Sequence, residues 1–231
     1  MKRNPLLLAC LAVVFLLSST NAVALSLSFD APEYNLTFGT SWDGTPPGHI
    51  ENVLSNNSDA LLGSIYSGFS DITLKRVSQQ TWAGHGVQTN LLAEYAGYAP
   101  RNAFGWYDTA DPSITAQIFA GSNIPGDSTY TAFSDPRTFG FYLDPNGDAA
   151  NRMFSGIEPY QAVVYKVLEF DNEYIIGFED LRLPGGDIDF QDLIVRAQVS
   201  AAPVPEPSTI VLMGLGLVGL AGIGRKKFIK K

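Results

Sequence analysis

Ala162-Val163-Val164-Tyr165-Lys166-Val167-Leu168-Glu169-Phe170, then Asp171-Asn172, then Glu173-Tyr174-Ile175-Ile176-Gly177-Phe178, is the stretch that decides the fold. Two runs rich in β-branched and aromatic residues flank a pair of turn formers, and Asn accepts the positive φ that a tight hairpin turn requires. The spacing predicts an antiparallel hairpin over 162–170 and 173–178. Working outward, alternating or β-prone runs bounded by Gly, Pro, Asn and Asp recur along the chain. Strands are expected at Leu25–Phe29, Tyr34–Phe38, Asp71–Val77, Ser113–Ala120, Thr138–Leu143 and Leu193–Val199. Leu91–Tyr98 and Asn102–Tyr107 are expected to pair with each other. Thr40–Gly48, pinned by Trp42, and Ser122–Asp135 read as loops. Between His49 and Tyr66 the apolar residues fall at helical spacing and Asn56-Asn57-Ser58-Asp59 breaks them, predicting one or two short helices. The fold class expected is mainly β: an antiparallel β-sandwich or jelly roll in a single domain, residues 25–202.

Directly after the hairpin, carboxylates crowd together. Glu179, Asp180, Asp187, Asp189 and Asp192 fall within fourteen residues, around Pro184-Gly185-Gly186 and between two apolar runs. Carboxylates that close raise one another's pKa unless a cation neutralises them. Calcium, which takes six to eight oxygen ligands, suits such a loop. In an extended segment Asp187 and Asp189 point to the same face. Asp192 is out of phase and joins them only if the chain bends near Phe190. The alternative is a solvated acidic turn. A second acidic loop, Asp144-Pro145-Asn146-Gly147-Asp148, copies the first ligand positions of an EF-hand through Asp144, Asn146 and Asp148. Ala149 and Ser155 stand where that loop needs Gly and Glu, which rules the EF-hand out. If the strand Thr138–Leu143 ends at the same edge as Phe178, both loops can build one site.

Phe178-Glu179-Asp180, followed by Gly186-Asp187-x-Asp189-Phe190-x-Asp192 and the apolar Leu193-Ile194-Val195, resembles the signature of the domain of unknown function 4114 family. The resemblance centres on residues 138–199. It departs at Gln191, where the family has Asn. It implies a β-rich, secreted, calcium-binding domain with no established enzymatic activity.

The two ends carry their own signals. Lys2 and Arg3, the apolar core Leu6–Leu17 and Ala22-Val23-Ala24 form a signal peptide over 1–24, cleaved after Ala24. Cys10, the single cysteine, leaves with it, so no disulfide is expected in the mature domain. Val204-Pro205-Glu206-Pro207, an apolar run over 209–224 and the basic tail 225–231 resemble the PEP-CTERM sorting signal. Pro205, Glu206 and Pro207 carry the motif. The resemblance implies a transmembrane helix, processing by an exosortase-type enzyme, and a Gram-negative, exopolysaccharide-producing source. The basic tail is expected to stay cytoplasmic. The exported domain would then be anchored in the inner membrane before processing, and afterwards reside at the cell surface or in the matrix. Gly214-x-Gly216-x-x-Gly219 spells a dinucleotide fingerprint, but nothing around it supplies the βαβ context that motif needs.

Residues 25–204 hold eight Lys+Arg against 22 Asp+Glu. Such an acidic domain argues against nucleic-acid binding and favours cations. His49 and His85, the only histidines, have no partner at zinc-ligand spacing. No nucleophile motif is present. Glu158, Glu169, Glu173 and Glu179 are candidates for a glycosidase pair, which only their separation in space can decide. Three function classes follow. The leading one is a non-catalytic, calcium-stabilised surface or matrix protein associated with biofilm exopolysaccharide. The second is a carbohydrate-binding module using calcium or the aromatics Trp82, Trp106 and Tyr107. The third is a polysaccharide-processing enzyme.

Overall fold

The computed structural model describes residues 24–32, 49–96, 99–157, 161–182 and 188–200. In chain order these form β1 (Ser26–Asp30), α1 (Ile50–Asn56), α2 (Ser58–Leu62), β2 (Asp71–Val77), β3 (Thr81–Ala93), β4 (Ala103–Asp108), β5 (Thr115–Ala120), β6 (Ser128–Asp144), β7 (Met153–Phe154), β8 (Ala162–Val167), β9 (Glu173–Phe178) and β10 (Leu193–Ser200).

The expected hairpin is β8 and β9, antiparallel from Ala162↔Phe178 to Lys166↔Tyr174. Its connection is five residues rather than two, because the Leu168 N–H donates to the Thr73 carbonyl of β2 at 3.0 Å and draws the chain away early. Asn172 takes the positive φ, 56°. β8 and β9 are buried along almost their whole length. Successive side chains alternate between two cores: Val164, Tyr174 and Ile176 face one, while Val163, Tyr165 and Ile175 face the other. Helices α1 and α2 cover the second core with Ile50, Leu54 and Leu62, each fully buried.

The strands form one sheet in the order β1-β2-β8-β9-β10-β3-β6-β4-β5, with β7 also paired to β6. All pairings are antiparallel except β1 with β2, which is parallel. Four ladder steps separate β9 from β4, about 19 Å in a flat sheet at ~4.8 Å per strand. The rings of Phe104 on β4 and Phe178 on β9 nevertheless lie 5.9 Å apart. The sheet therefore curls, and its β4–β5–β6 wing faces β8–β9–β10 across an aromatic core built from Trp82, Phe104, Phe119, Phe139 and Phe141.

The expected sandwich needs correction on this point: the hydrogen-bonded path is unbroken, and the sheet is mixed. The cause lies in β3 and β6. β3 pairs with β6 through Thr81–Asn90 and with β10 through Gly86–Ala93, bulging between Gly84 and Gly86. β6 pairs with β3 between Ser128 and Gly140 and with β4 and β7 between Phe139 and Asp144. Strands this long serve both wings.

Other expectations are also revised. Thr81–Asn90 is strand where none was expected, and Ser128–Asp135, read as loop, belongs to β6. The segments around Leu91 and Asn102 are not partners; β3 pairs with β10 and β6, and β4 with β5 and β6. The helix break at 56–59 is present: α1 ends at Asn56 and α2 begins at Ser58. The segment 34–38, Trp42, most of the signal segment and the whole C-terminal segment from 201 lie outside the described residues. Among the described residues no helix is long and apolar enough to cross a membrane.

Candidate metal centre

One end of the curled sheet gathers the end of β9, the start of β10, the end of β3, the start of β4 and the end of β6. The acidic connection from β9 to β10 lies here. Its last part folds back over the sheet: the Ile50 N–H at the start of α1 donates to the Asp189 carbonyl at 2.8 Å, and the Tyr95 N–H donates to the Asp192 carbonyl at 3.2 Å. Phe190 is fully buried in the helix-side core. Gly177 permits this, because a Cβ there would collide with the Phe190 carbonyl oxygen and with Ile50.

The bend that brings Asp192 into phase is at Phe190. Ile188 and Phe190 have φ of 60° and 55°, in the left-handed region. That conformation is rare for β-branched and bulky residues and costs about 1–3 kcal/mol each. As a result, carboxylate oxygens of Glu179, Asp189 and Asp192 lie within 4.8 Å of one another. Glu179 and Asp189 are buried and Asp192 is half-buried.

Backbone and amide donors hold each carboxylate in place. The Phe190 N–H donates to Glu179 Oε1 at 2.7 Å. The Asp180 N–H donates to Asp192 Oδ2 at 2.8 Å. Gln191 donates to Asp189 twice, from its backbone N–H at 3.1 Å and its side-chain amide at 2.5 Å. Gln191 thus orients a carboxylate. Burial pushes the Asp192 carboxyl up to about 8, and the neighbouring charges of Asp180, Glu179 and Asp189 push the same way, against the Asp180 N–H. An all-oxygen donor set, preoriented and crowded, fits a hard divalent cation such as calcium. Each carboxylate oxygen that accepts an N–H keeps a second lone pair for a metal.

Of the other expected ligands, those that are described make different contacts. Asp187 lies outside the described residues. Asp180 gives its backbone N–H to Asp192, its charge adds to the rise of the Asp192 carboxyl, and it lines an adjacent cleft. Asp144 is taken by Arg152 in a two-pronged ion pair, Nε to Oδ1 at 2.6 Å and a terminal guanidinium nitrogen to Oδ2 at 2.7 Å, and that guanidinium stacks 3.8 Å from the Tyr142 ring centroid. Asp148 accepts from the Ala150 N–H and the Asn151 amide, each at 2.9 Å. Asn146, at φ 58°, shapes the turn. The second loop thus reaches the same end of the sheet without joining the carboxylate triad. Sequence reading missed Glu94, just past β3. Burial raises its carboxyl to about 7, with the Asp180 charge adding to the effect. Nothing in the local sequence marks it, because β3 delivers it from 85 residues upstream of Glu179.

Trp82, Trp106 and Tyr107 are buried, at 3%, 8% and 1% exposure, and cannot stack on a sugar from these positions. Glu173 and Glu179 sit at opposite ends of β9, about 20 Å apart at the ~3.3 Å rise of a strand, well outside the spacing of a glycosidase pair. Glu173 is held by Arg196, and Glu169 accepts from the Thr73 N–H at 2.9 Å. Glu158 lies outside the described residues. His49 caps α1 by accepting from the Glu51 N–H at 3.3 Å.

Comparison with known proteins adds one feature. The PEP-CTERM protein-sorting motif matches residues 203–226, beyond the described residues. No curated protein matches the chain. The sorting motif supports export through an exosortase-type system, recognition by its processing enzyme, and anchoring at the membrane before processing.

Proposed function

We propose that the chain is a non-catalytic protein of the cell surface or extracellular matrix whose β domain is organised by a calcium ion held by Glu179, Asp189 and Asp192. The observation that carries the reading is the convergence of these three carboxylates on a backbone bent through Ile188 and Phe190. A cation between them would offset their mutual repulsion and the cost of burying them. The likeness to the domain of unknown function 4114 family belongs to the same proposal, as does association with exopolysaccharide in a biofilm. The separation of Glu173 from Glu179 supports the non-catalytic reading.

Equilibrium dialysis of the purified full chain against calcium tests the site. Glu179→Gln and Asp189→Asn are each expected to weaken binding by about tenfold or more, the loss of roughly one charged ligand contact. Asp144→Ala is expected to leave calcium affinity unchanged, since Arg152 already occupies that carboxylate. Calcium binding that survives loss of Glu179 and Asp189, or that disappears with Asp144 alone, would sink the assignment.

A further inference from the structure

The two acidic loops face each other across a cleft of about 290 Å³, with Pro145, Asp148 and Asn151 on one wall and Asp180, Leu181 and Arg182 on the other. We propose that this cleft binds a neutral saccharide unit, next to and coupled to the calcium site described above. The inference rests on that calcium reading only for the coupling.

The chemistry of the walls selects the ligand. Two carboxylates and one guanidinium line the cleft, so an anion meets net repulsion. Donors and acceptors stand on both sides: the Asn151 amide beside the Asp148 carboxylate on one wall, and the Arg182 guanidinium, anchored on the Arg152 carbonyl, on the other. Neighbouring hydroxyls, which each donate and accept, match such pairs. Leu181, 45% exposed, adds an apolar surface suited to the C–H face of a sugar ring. The volume is at the small end for a ligand site and suits one or two rings.

The walls are also held in place before any ligand arrives, which lowers the entropic cost of binding. The Asn151 amide donates to Asp148 at 2.9 Å. Arg182 donates to the Arg152 carbonyl at 2.9 Å, and Arg152 is itself clamped on Asp144. Pro145 and Asn146 are seated against the β4 side, where the Asn102 side chain accepts from the Asn146 N–H at 2.9 Å. Asp180 connects the two sites, since it is one of the residues lining the cleft while its N–H holds Asp192. Ordering the triad around a cation orders one wall of the cleft, and by reciprocity a bound saccharide tightens cation binding.

Ligand-detected NMR titration of the full chain tests this, using neutral gluco-, galacto- and manno-oligosaccharides, an oligouronate and an oligolysine peptide, each with calcium and with EDTA. At least one neutral oligosaccharide is expected to bind in calcium. Asn151→Ala and Arg182→Ala should each weaken it by about tenfold, the effect of one lost hydrogen bond to a ligand, with the cooperative thermal transition of the fold retained. EDTA, or Asp189→Asn, should weaken it as well. Failure of every neutral sugar, preference for the oligouronate or the oligolysine, or unchanged binding in both cleft variants would overturn the proposal. Calcium binding that persists when no sugar binds would discard the cleft and leave the metal centre standing. Sugar binding indifferent to EDTA would discard the coupling.

Discussion

At the scale of single residues, the account turns on Gly177, Phe190 and Asp192. Gly177 lies under the Phe190 carbonyl, so Gly177→Ala forces the loop away from β9. The expected cost is about 1–3 kcal/mol in urea unfolding, typical of an overpacked core, and calcium affinity should fall with the carboxylates untouched. Asp192 carries a pH signature. Its folded carboxyl is raised to about 8, above the ordinary carboxylate value. Between those two values the folded, metal-free chain keeps a proton that the unfolded chain has released. Stability in EDTA should therefore fall as pH rises through this window, with Glu94 adding to the trend near 7. Asp192→Asn should flatten it. Melting temperatures across pH 5 to 9 check the sign. Part of this was legible in sequence: the phase of Asp189 and Asp192 required a bend near Phe190, and Phe190 supplies it. Glu94 was not legible, because its neighbours come from β9 and the sheet alone brings them.

Among the elements, the β8–β9 hairpin and β10 form the buried, paired strands that lead into the site. Across them runs a buried ion pair: Arg196 on β10 meets Glu173 on β9 with contacts of 2.8 and 2.7 Å, and Arg196 also donates to Asn90 at 3.0 Å. Glu173 is 1% exposed and Arg196 9%. Removing one partner strands the other charge, so Glu173→Ala should destabilise the fold by about 3–5 kcal/mol, measured by denaturant unfolding. The hairpin, β2 and β10 could be read from sequence because their apolar residues are packed on both faces or alternate cleanly. β3 and the first half of β6 could not. Thr81–Asn90 contains Gly84, His85, Gly86 and Gln88, and its burial comes from neighbours on both sides rather than from its own apolarity. Ser128–Asp135 is mostly exposed at an edge and shows no apolar alternation, so its strand character comes from pairing with β3. Pro136 is tolerated in the same strand because the register with β3 skips from Ala132 to Arg137.

For the molecule as a whole, two separate statements stand side by side. The C-terminal motif at 203–226 supports export through an exosortase-type system, and the described residues form the curled β sheet that carries the carboxylate triad. Replacing Pro205, Glu206 and Pro207 together by Ala should block processing and leave the chain in the membrane fraction, read by fractionation, without changing the calcium affinity of the domain. The fold class was legible from strand count and punctuation. The single curled sheet was not, since nothing local distinguishes two packed sheets from one sheet whose long strands serve both wings.

The most direct measurement is thermal unfolding of the full chain in mild detergent, in EDTA and across a calcium titration, with Asp189→Ala alongside. A cation that binds only the folded state stabilises it by about 2.7 kcal/mol at a hundredfold excess over Kd. The account predicts a calcium-dependent rise in melting temperature that Asp189→Ala loses. Equal melting temperatures for both proteins, with and without calcium, would contradict it and leave the acidic loop a solvated turn.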